Sequence, residues 1–404
     1  MPNLYLARQP IYDTGLKVYA YELLYRSAVE NAAPGGLGDE ATYTVLVNAL
    51  TEIGLDTLVG NHYAFVNFTR AFIVGDSPLP FTGGNVVIEV LEDVKADPDV
   101  IDGIIRLKNE GYTIALDDFV YDDSLKRLVE HADIIKVDVT LSDDEQIREQ
   151  VNTLRQFNVK LLAEKVETQE EYDRYKEMGF DYFQGYFFCR PNIVTRKRVP
   201  MSRITLMQLI SKINDPQAEV VELEEIISGD VALSYKLFRY INSAFFSLPS
   251  KMESLSQVIV YMGLNVVKQW ATVLALSNID DKPSELLVTA LVRAKTCEQL
   301  AVLEKRGQEG TFFIVGMFSL LDALLDIPME EILQNLQLSD EVNQALLTHE
   351  GVYGKILTSV IAYEQGHWDE IICITPQVGQ NAIQEAYVSA VPWAQQVVKG
   401  IGSD

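Results

Sequence analysis

Two adjacent aspartates, Asp117 and Asp118, close the short apolar run Thr113–Leu116. A run of this length behind Gly111 reads as a buried strand, and its carboxylates then stand where the chain leaves the core. The same placement recurs through the first half of the sequence. Glu22 lies in KVYAYELL with Arg26 just beyond, Asn67 in AFVNF, and Glu89 in VVIEVL with Glu92 following. Lys136 and Asp138 lie in IIKVD, Glu164 ends KLLAE, and Gln184 sits in YFQGYFF. Acidic and amide groups converging from separate strand ends suggest one oxygen-rich site for a hard divalent cation. Singly, each such residue reads as a helix cap or a solvated loop residue. Their recurrence on strand after strand carries the inference.

The elements that must position these residues alternate between strand and helix. A helix over Ala41–Ile53 ends at Gly54, a C-cap. Asp97-Pro98 opens another that runs to about Asn109. Ser142 with Glu145, and Thr168 with Glu171, have capping-box spacing, and Gly179 closes the second of these helices. Such alternation fits a parallel sheet, either closed into a barrel or open and doubly wound. An open sheet gathers its ligand at one switch point, whereas here nearly every strand contributes a polar group, as on the loop face of a barrel. The first half is therefore expected to be α/β, a TIM-like (β/α) barrel.

Val194–Met201 reads as a short basic linker, and the pattern beyond it is helical to the end, with Glu285–Glu304 the longest helix. The expected organisation is a barrel over 1–195, a linker over 196–203 and an all-α domain over 204–404. The 404 residues are 48% hydrophobic, which allows substantial cores, and the formal net charge is -25. That charge argues against nucleic acid as a partner, since phosphates would be repelled. A compact anion could still bind through a metal and a few local cations. Three scattered cysteines, Cys189, Cys297 and Cys373, point to a reducing compartment. The start MPNLYLARQP does not read as a signal peptide, and the apolar stretch Phe312–Leu321 is too short to span a bilayer. The expectation is a cytoplasmic protein without a membrane span.

In this order the motifs of residues 1–195 resemble an EAL domain, the family of cyclic di-GMP phosphodiesterases and receptors. The signature EALLR appears as ELLYR from Glu22, and E-x-T-E as EVLE from Glu89. K-I-D appears as KVD from Lys136, A-E-G-V-E as AEKVE with Glu164 and Glu167, and QGY-x-x-x-RP as QGYFFCRP from Gln184. The resemblance implies Glu22, Asn67, Glu89 and Asp117 as ligands of Mg²⁺ or Mn²⁺, with Asp118 serving a second ion. It implies Lys136, Glu164 and Glu167 as catalytic residues, with Gln184 completing the metal and water shell. Gln9, Pro10, Arg26 and Gln184 would meet the ligand.

One departure bears on activity. Where active members carry the Gly-rich DDFGTGYSS, this chain reads DDFVYDDS, Asp117 to Ser124. Val120 and Tyr121 do not take the positive φ that glycine allows cheaply, and Asp122 and Asp123 add negative charge beside an anionic ligand. The AAPGG stretch, Ala32–Gly36, departs as well. The second half resembles an HDOD domain, a relative of the metal-dependent HD phosphohydrolases. Its histidines, His349 and His367, are not followed by Asp, so this half is expected to be catalytically empty. The expectation is a degenerate EAL domain that binds cyclic di-GMP and metal with weak or no hydrolysis, and an HDOD domain that relays to a protein partner. The alternatives are an active phosphodiesterase producing linear pGpG and a nucleotide-independent scaffold. A homodimer is compatible with either.

Overall fold

The computed structural model describes residues 4–27, 54–77, 79, 84–92, 94–190, 201–215, 217–243, 245–246, 248, 252, 254–279, 281–305, 307–336, 338–371 and 379–402. The helix expected over Ala41–Ile53 and the AAPGG stretch lie outside them. The chain divides into two compact units, the first holding Met1–Phe188 and Glu364–Gly366, the second Cys189–Tyr363 and His367–Asp404. Of the linker expected over 196–203, residues 201–203 already belong to a helix, and the rest lies outside the described residues.

The first unit is a closed eight-stranded barrel with strands in sequence order. The strands are β1 (Leu4–Asp13), β2 (Val18–Ser27), β3 (Tyr63–Phe68), β4 (Val86–Val90), β5 (Thr113–Leu116), β6 (Ile134–Asp138), β7 (Lys160–Glu164) and β8 (Tyr182–Gln184). From β2 to β8 neighbours pair parallel, but β1 is antiparallel to both β2 and β8. β1 is not among the strands expected from the sequence, and it carries Pro10, a residue that central strands seldom hold. In the barrel Pro10 is tolerated opposite Tyr21, and the ladder shifts register just beyond, between Ile11 and Tyr12.

Helices cover the barrel. They are α1 (Leu55–Val59), α2 (Arg70–Val74), α3 (Pro98–Asn109), α4 (Lys126–His131), α5 (Asp144–Leu154) and α6 (Gln169–Met178). Asp97 caps α3 by accepting from the Val100 amide, as its Asp-Pro start predicts. Thr168 and Glu171 form the expected box on α6. On α5 the box is one residue later than expected, at Asp143 and Gln146. β8 is shorter than the run YFQGYFF suggests. Gly185, at φ 150, passes so close to Val166 that a Cβ there would lie 2.0 Å from its carbonyl oxygen. The strand therefore stops, and Phe187–Cys189 forms a 3-10 turn.

The second unit is helical: α7 (Met201–Asn214), α8 (Val220–Gly229), α9 (Val231–Ile241), α10 (Leu255–Met262), α11 (Leu264–Leu276), α12 (Ser284–Glu304), α13 (Glu309–Phe318), α14 (Leu321–Leu325), α15 (Met329–Asn335), α16 (Asp340–Thr348), α17 (Gly351–Glu364) and α18 (Gln380–Gly402). α12 and α13 approach closely because Gly316 has no side chain, and a Cβ there would meet the Ala294 Cα at 2.6 Å. The longest described helix is α18, of 23 residues, and not α12, of 21. Pro392 lies inside α18. The buried face of Ala390, Val391, Ala394 and Val397 carries the helix past it. Tyr240 is buried, while Phe245 and Phe246 are half-buried, all three in ring contact with Trp270. Among the described residues no single helix is long and apolar enough to cross a membrane.

Candidate active site

The barrel interior carries a floor of apolar residues: Ile11, Ala20, Phe65, Val87, Ala115, Ile134 and Leu162, with Tyr182 packed against them. Side chains two positions apart on a strand share a face. Stepping two residues from this floor reaches Gln9, Glu22, Asn67, Glu89, Asp117, Lys136, Glu164 and Gln184. One polar group per strand therefore faces inward in the next layer. On β1 the step runs backwards, as its antiparallel direction requires.

Lys136 occupies the centre of this layer, 1% exposed. Its Nζ lies 2.6 Å from Glu89 Oε1, 2.7 Å from Asp117 Oδ1, 3.0 Å from Glu164 Oε1 and 3.3 Å from Glu22 Oε2. Gln184 Nε2 donates to Glu22 Oε2 at 2.6 Å and to Gln9 Oε1 at 2.9 Å. Asn67 stands opposite Glu89 in the ladder. Four carboxylates against one ammonium leave three negative charges if all are ionised, in a place water barely reaches.

The titration of the group follows from this imbalance. Burial, reinforced by Glu22, pushes the Glu89 carboxyl far above its ordinary range although Lys136 opposes the shift. Burial likewise raises Asp117, and it pushes Glu164 up to about 8 against the attraction of Lys136. Burial alone would lower Lys136, but its carboxylate neighbours outweigh that and hold it charged.

The oxygens left over bear on metal binding. Asn67 Oδ1, Glu89 Oε2, Glu164 Oε2 and Gln184 Oε1 are buried and accept no hydrogen bond, while Glu89 Oε1 lies against the Lys136 ammonium. Unpaired buried acceptors carry a large desolvation cost. An all-oxygen donor set with excess negative charge fits Mg²⁺ or Mn²⁺. Among the described residues no three acids stand in ligating geometry, since the carboxylates converge on the ammonium.

The remaining expected site residues are placed as follows. Asp118 is half-buried with φ 41, held between the Asp117 amide bond to the Val90 carbonyl and the Phe119 amide bond to the Lys136 carbonyl. Arg26 is at the far end of β2 opposite Tyr5, and its side chain is outside the described residues. Pro10 is buried on the face of β1 opposite Gln9 by the two-residue period. Glu167 is exposed at the approach to α6 and is not among the ion-pair partners of Lys136.

The glycine-free segment after Asp118 forms an ordered turn. Gln150 Nε2 donates to the Phe119 carbonyl, and Tyr121 packs on Phe157. Asp122 accepts from the Ser124 amide at 2.8 Å, and Asp123 from the Tyr121 hydroxyl at 3.3 Å. Both acids are exposed and engaged within the turn. Val120 and Tyr121 adopt no positive φ, so the residues present support a path that needs no glycine.

Lys165 was not singled out from the sequence, although the lysine in AEKVE, where the resemblance has glycine, was the available signal. It holds φ 58, and its ammonium bonds Asp138 Oδ2. The bond to Asp138, with the charges of Asp118 and Glu164 near it, holds Lys165 above the usual lysine range. Asp138 is further fixed by the Thr140 amide at 2.8 Å and hydroxyl at 2.6 Å.

Comparison with known proteins gives two family matches, an EAL domain over residues 65–191 and an HDOD domain over residues 199–344. The protein YuxH of Bacillus subtilis (strain 168) is 35% identical over 98% of this chain and 99% of its own length. Cyclic di-GMP phosphodiesterase CdgJ of Vibrio cholerae serotype O1 is 31% identical over 98% of this chain and 94% of its own. Among solved structures, the PaMucR phosphodiesterase c-di-GMP complex aligns with 45% of this chain and 94% of that one, at 21% identity and a TM-score of 0.38.

Proposed function

This chain belongs to the family that joins an EAL domain to an HDOD domain, and from that premise we propose that its barrel hydrolyses cyclic di-GMP to linear pGpG with a divalent metal. The observation that carries this reading is the Lys136 cluster. A protein that only bound the nucleotide would have little use for four carboxylates and unpaired amide oxygens held in the barrel at such electrostatic cost.

Glu22, Asn67, Glu89 and Asp117 would hold the metal through oxygen. When bound, it supplies a lowered water pKa and neutralises phosphoryl charge. Glu164, titrating at about 8 among these neighbours, is suited to take a proton from water near neutral pH. The fixed ammonium of Lys136 orients that water and meets negative charge growing on the phosphoryl oxygens. Gln184, braced by Glu22 and Gln9, offers its free Oε1 to the ligand.

A second reading, a receptor with weak or no hydrolysis, is favoured by Lys165. Its tethered charge stands near Asp118, where the family resemblance calls for a second metal. In either reading the helical domain relays to a protein partner. Exposed apolar side chains support this, among them Val221, Tyr235, Val260 and Tyr261.

Incubation of the purified protein with cyclic di-GMP and Mn²⁺ or Mg²⁺, with chromatographic separation of products, tests the proposal. Linear product should form, and it should be lost in EDTA and in Glu164→Gln. Cyclic dinucleotide that stays intact through prolonged incubation with a binding-competent protein supports the receptor instead.

A further inference from the structure

The helical domain contains a cavity of about 500 Å³ bordered by the starts of three helices, α11, α13 and α16. Helix starts present N–H groups without intrahelical partners. At α16 the Ser339 hydroxyl accepts from the Val342 amide. Gly263 is the N-cap of α11 and Gln308 that of α13, and neither gives a side-chain cap. The Gln308 carboxamide is instead bonded by the Tyr353 hydroxyl, at 2.7 Å.

Gln269 provides a separate observation. It is 8% exposed, lines the cavity, and its carboxamide has no hydrogen-bond partner among the described residues. Its Nε2 lies 3.5 Å from where a Cβ on Gly310 would sit, beside the open start of α13. The protein leaves this amide to be met by whatever occupies the cavity. Lys268 lines the same space, half-buried, with its Nζ donating to the Asp215 carbonyl at 2.7 Å and in no ion pair among the described residues. Burial holds it below the usual lysine range.

The charge balance and the walls define the ligand. Lys268 is opposed by Glu309, the one acid among the lining residues, and by the charge of Asp215, whose carbonyl it is bonded to. Two uncapped helix starts add roughly half a positive charge each, which places the positive potential of the site at the starts of α11 and α13. Leu264, Ile314, Leu338 and Val342 supply an apolar wall. The volume is that of a small-molecule site.

We propose that this cavity binds a small organic anion. Its phosphate or carboxylate head is received by the starts of α11 and α13 with Lys268 and Gln269, and its body lies on the apolar wall. The test is calorimetry on the full-length protein in EDTA and low salt, with phenyl phosphate, benzoate and inorganic phosphate as probes. Phenyl phosphate against benzoate separates the two heads, and inorganic phosphate reports the head without a body. Saturable binding of at least one organic probe, tighter than inorganic phosphate, is expected. Lys268→Met should weaken it at least tenfold. Gly310→Asp brings a carboxylate of the protein's own to the start of α13, and should weaken it as much while raising the melting temperature. If Lys268→Met does not fold by circular dichroism, Gly310→Asp and Gln269→Leu decide. Absence of saturable binding of all three probes into the millimolar range, or undiminished affinity in any folded variant, overturns the proposal.

Discussion

Lys136→Met tests whether the carboxylate cluster depends on its buried ammonium. Methionine keeps most of the volume and removes the charge. In wild type the ammonium lies 2.6 to 3.3 Å from four carboxylates. Deleting one partner of a buried ion pair typically costs about 3–5 kcal/mol. The loss is capped, because a carboxyl with an ordinary pKa near 4.3 can take up a proton at pH 7 for about 3.7 kcal/mol. In EDTA at pH 7 the variant should therefore be about 3–4 kcal/mol less stable than wild type. The sign of the pH dependence follows from the same exchange. Carboxyls whose folded pKa is raised bind more protons folded than unfolded, so their stability contribution is present at low pH and is lost as pH rises through the folded value. The deficit should shrink by about 1.4 kcal/mol per unit of acidification and nearly vanish around pH 4.5. Urea unfolding across this range measures it, with Mn²⁺ expected to restore much of the loss at pH 7. Equal stability of variant and wild type in EDTA at pH 7 would refute the reasoning.

The other predictions concern metal and turnover. Calorimetry should show Mn²⁺ or Mg²⁺ binding to wild type that Glu89→Ala and Asp117→Ala abolish, and equal binding by all three proteins defeats the ligand assignment. Full-length Asp117→Ala should release no product from any phosphodiester, because the helical half offers no His-Asp pair, and residual metal-dependent turnover counts against that. Lys165→Gly removes a charge near Asp118 and relieves a positive φ. Mn²⁺ affinity should rise about fivefold, equivalent to roughly 1 kcal/mol; an unchanged affinity means that Lys165 does not compete with a cation.

The polar layer was legible because each strand from β2 to β8 repeats one local pattern, an apolar residue followed two positions later by an oxygen or nitrogen group. Glu22, Asn67, Glu89, Asp117, Lys136, Glu164 and Gln184 stand out in the sequence as polar groups within or at the ends of expected strands and in the order of the EAL motifs. What the sequence hid was non-local. β1 carries Pro10, and the ladder shifts register just beyond it, between Ile11 and Tyr12. Asp122 and Asp123 looked like charge set against a ligand, yet each has a bonding partner within the turn. The shortening of β8 depends on the approach of Val166 to Gly185, which no window of sequence displays. Pro392 failed to stop α18 because burial of its apolar face outweighed the missing backbone hydrogen bond.

The central claim is that the Lys136 cluster performs hydrolysis and does not merely bind. A single-turnover experiment tests it most directly. Excess protein with Mn²⁺ is mixed with labelled cyclic di-GMP, and the bound and cleaved fractions are read from the same sample. The account predicts that bound nucleotide is cleaved at a rate on the order of 1 per second or faster, typical of enzymes, and that Glu164→Gln binds but leaves the label cyclic. Full binding by wild type with the label still cyclic after an hour would contradict it.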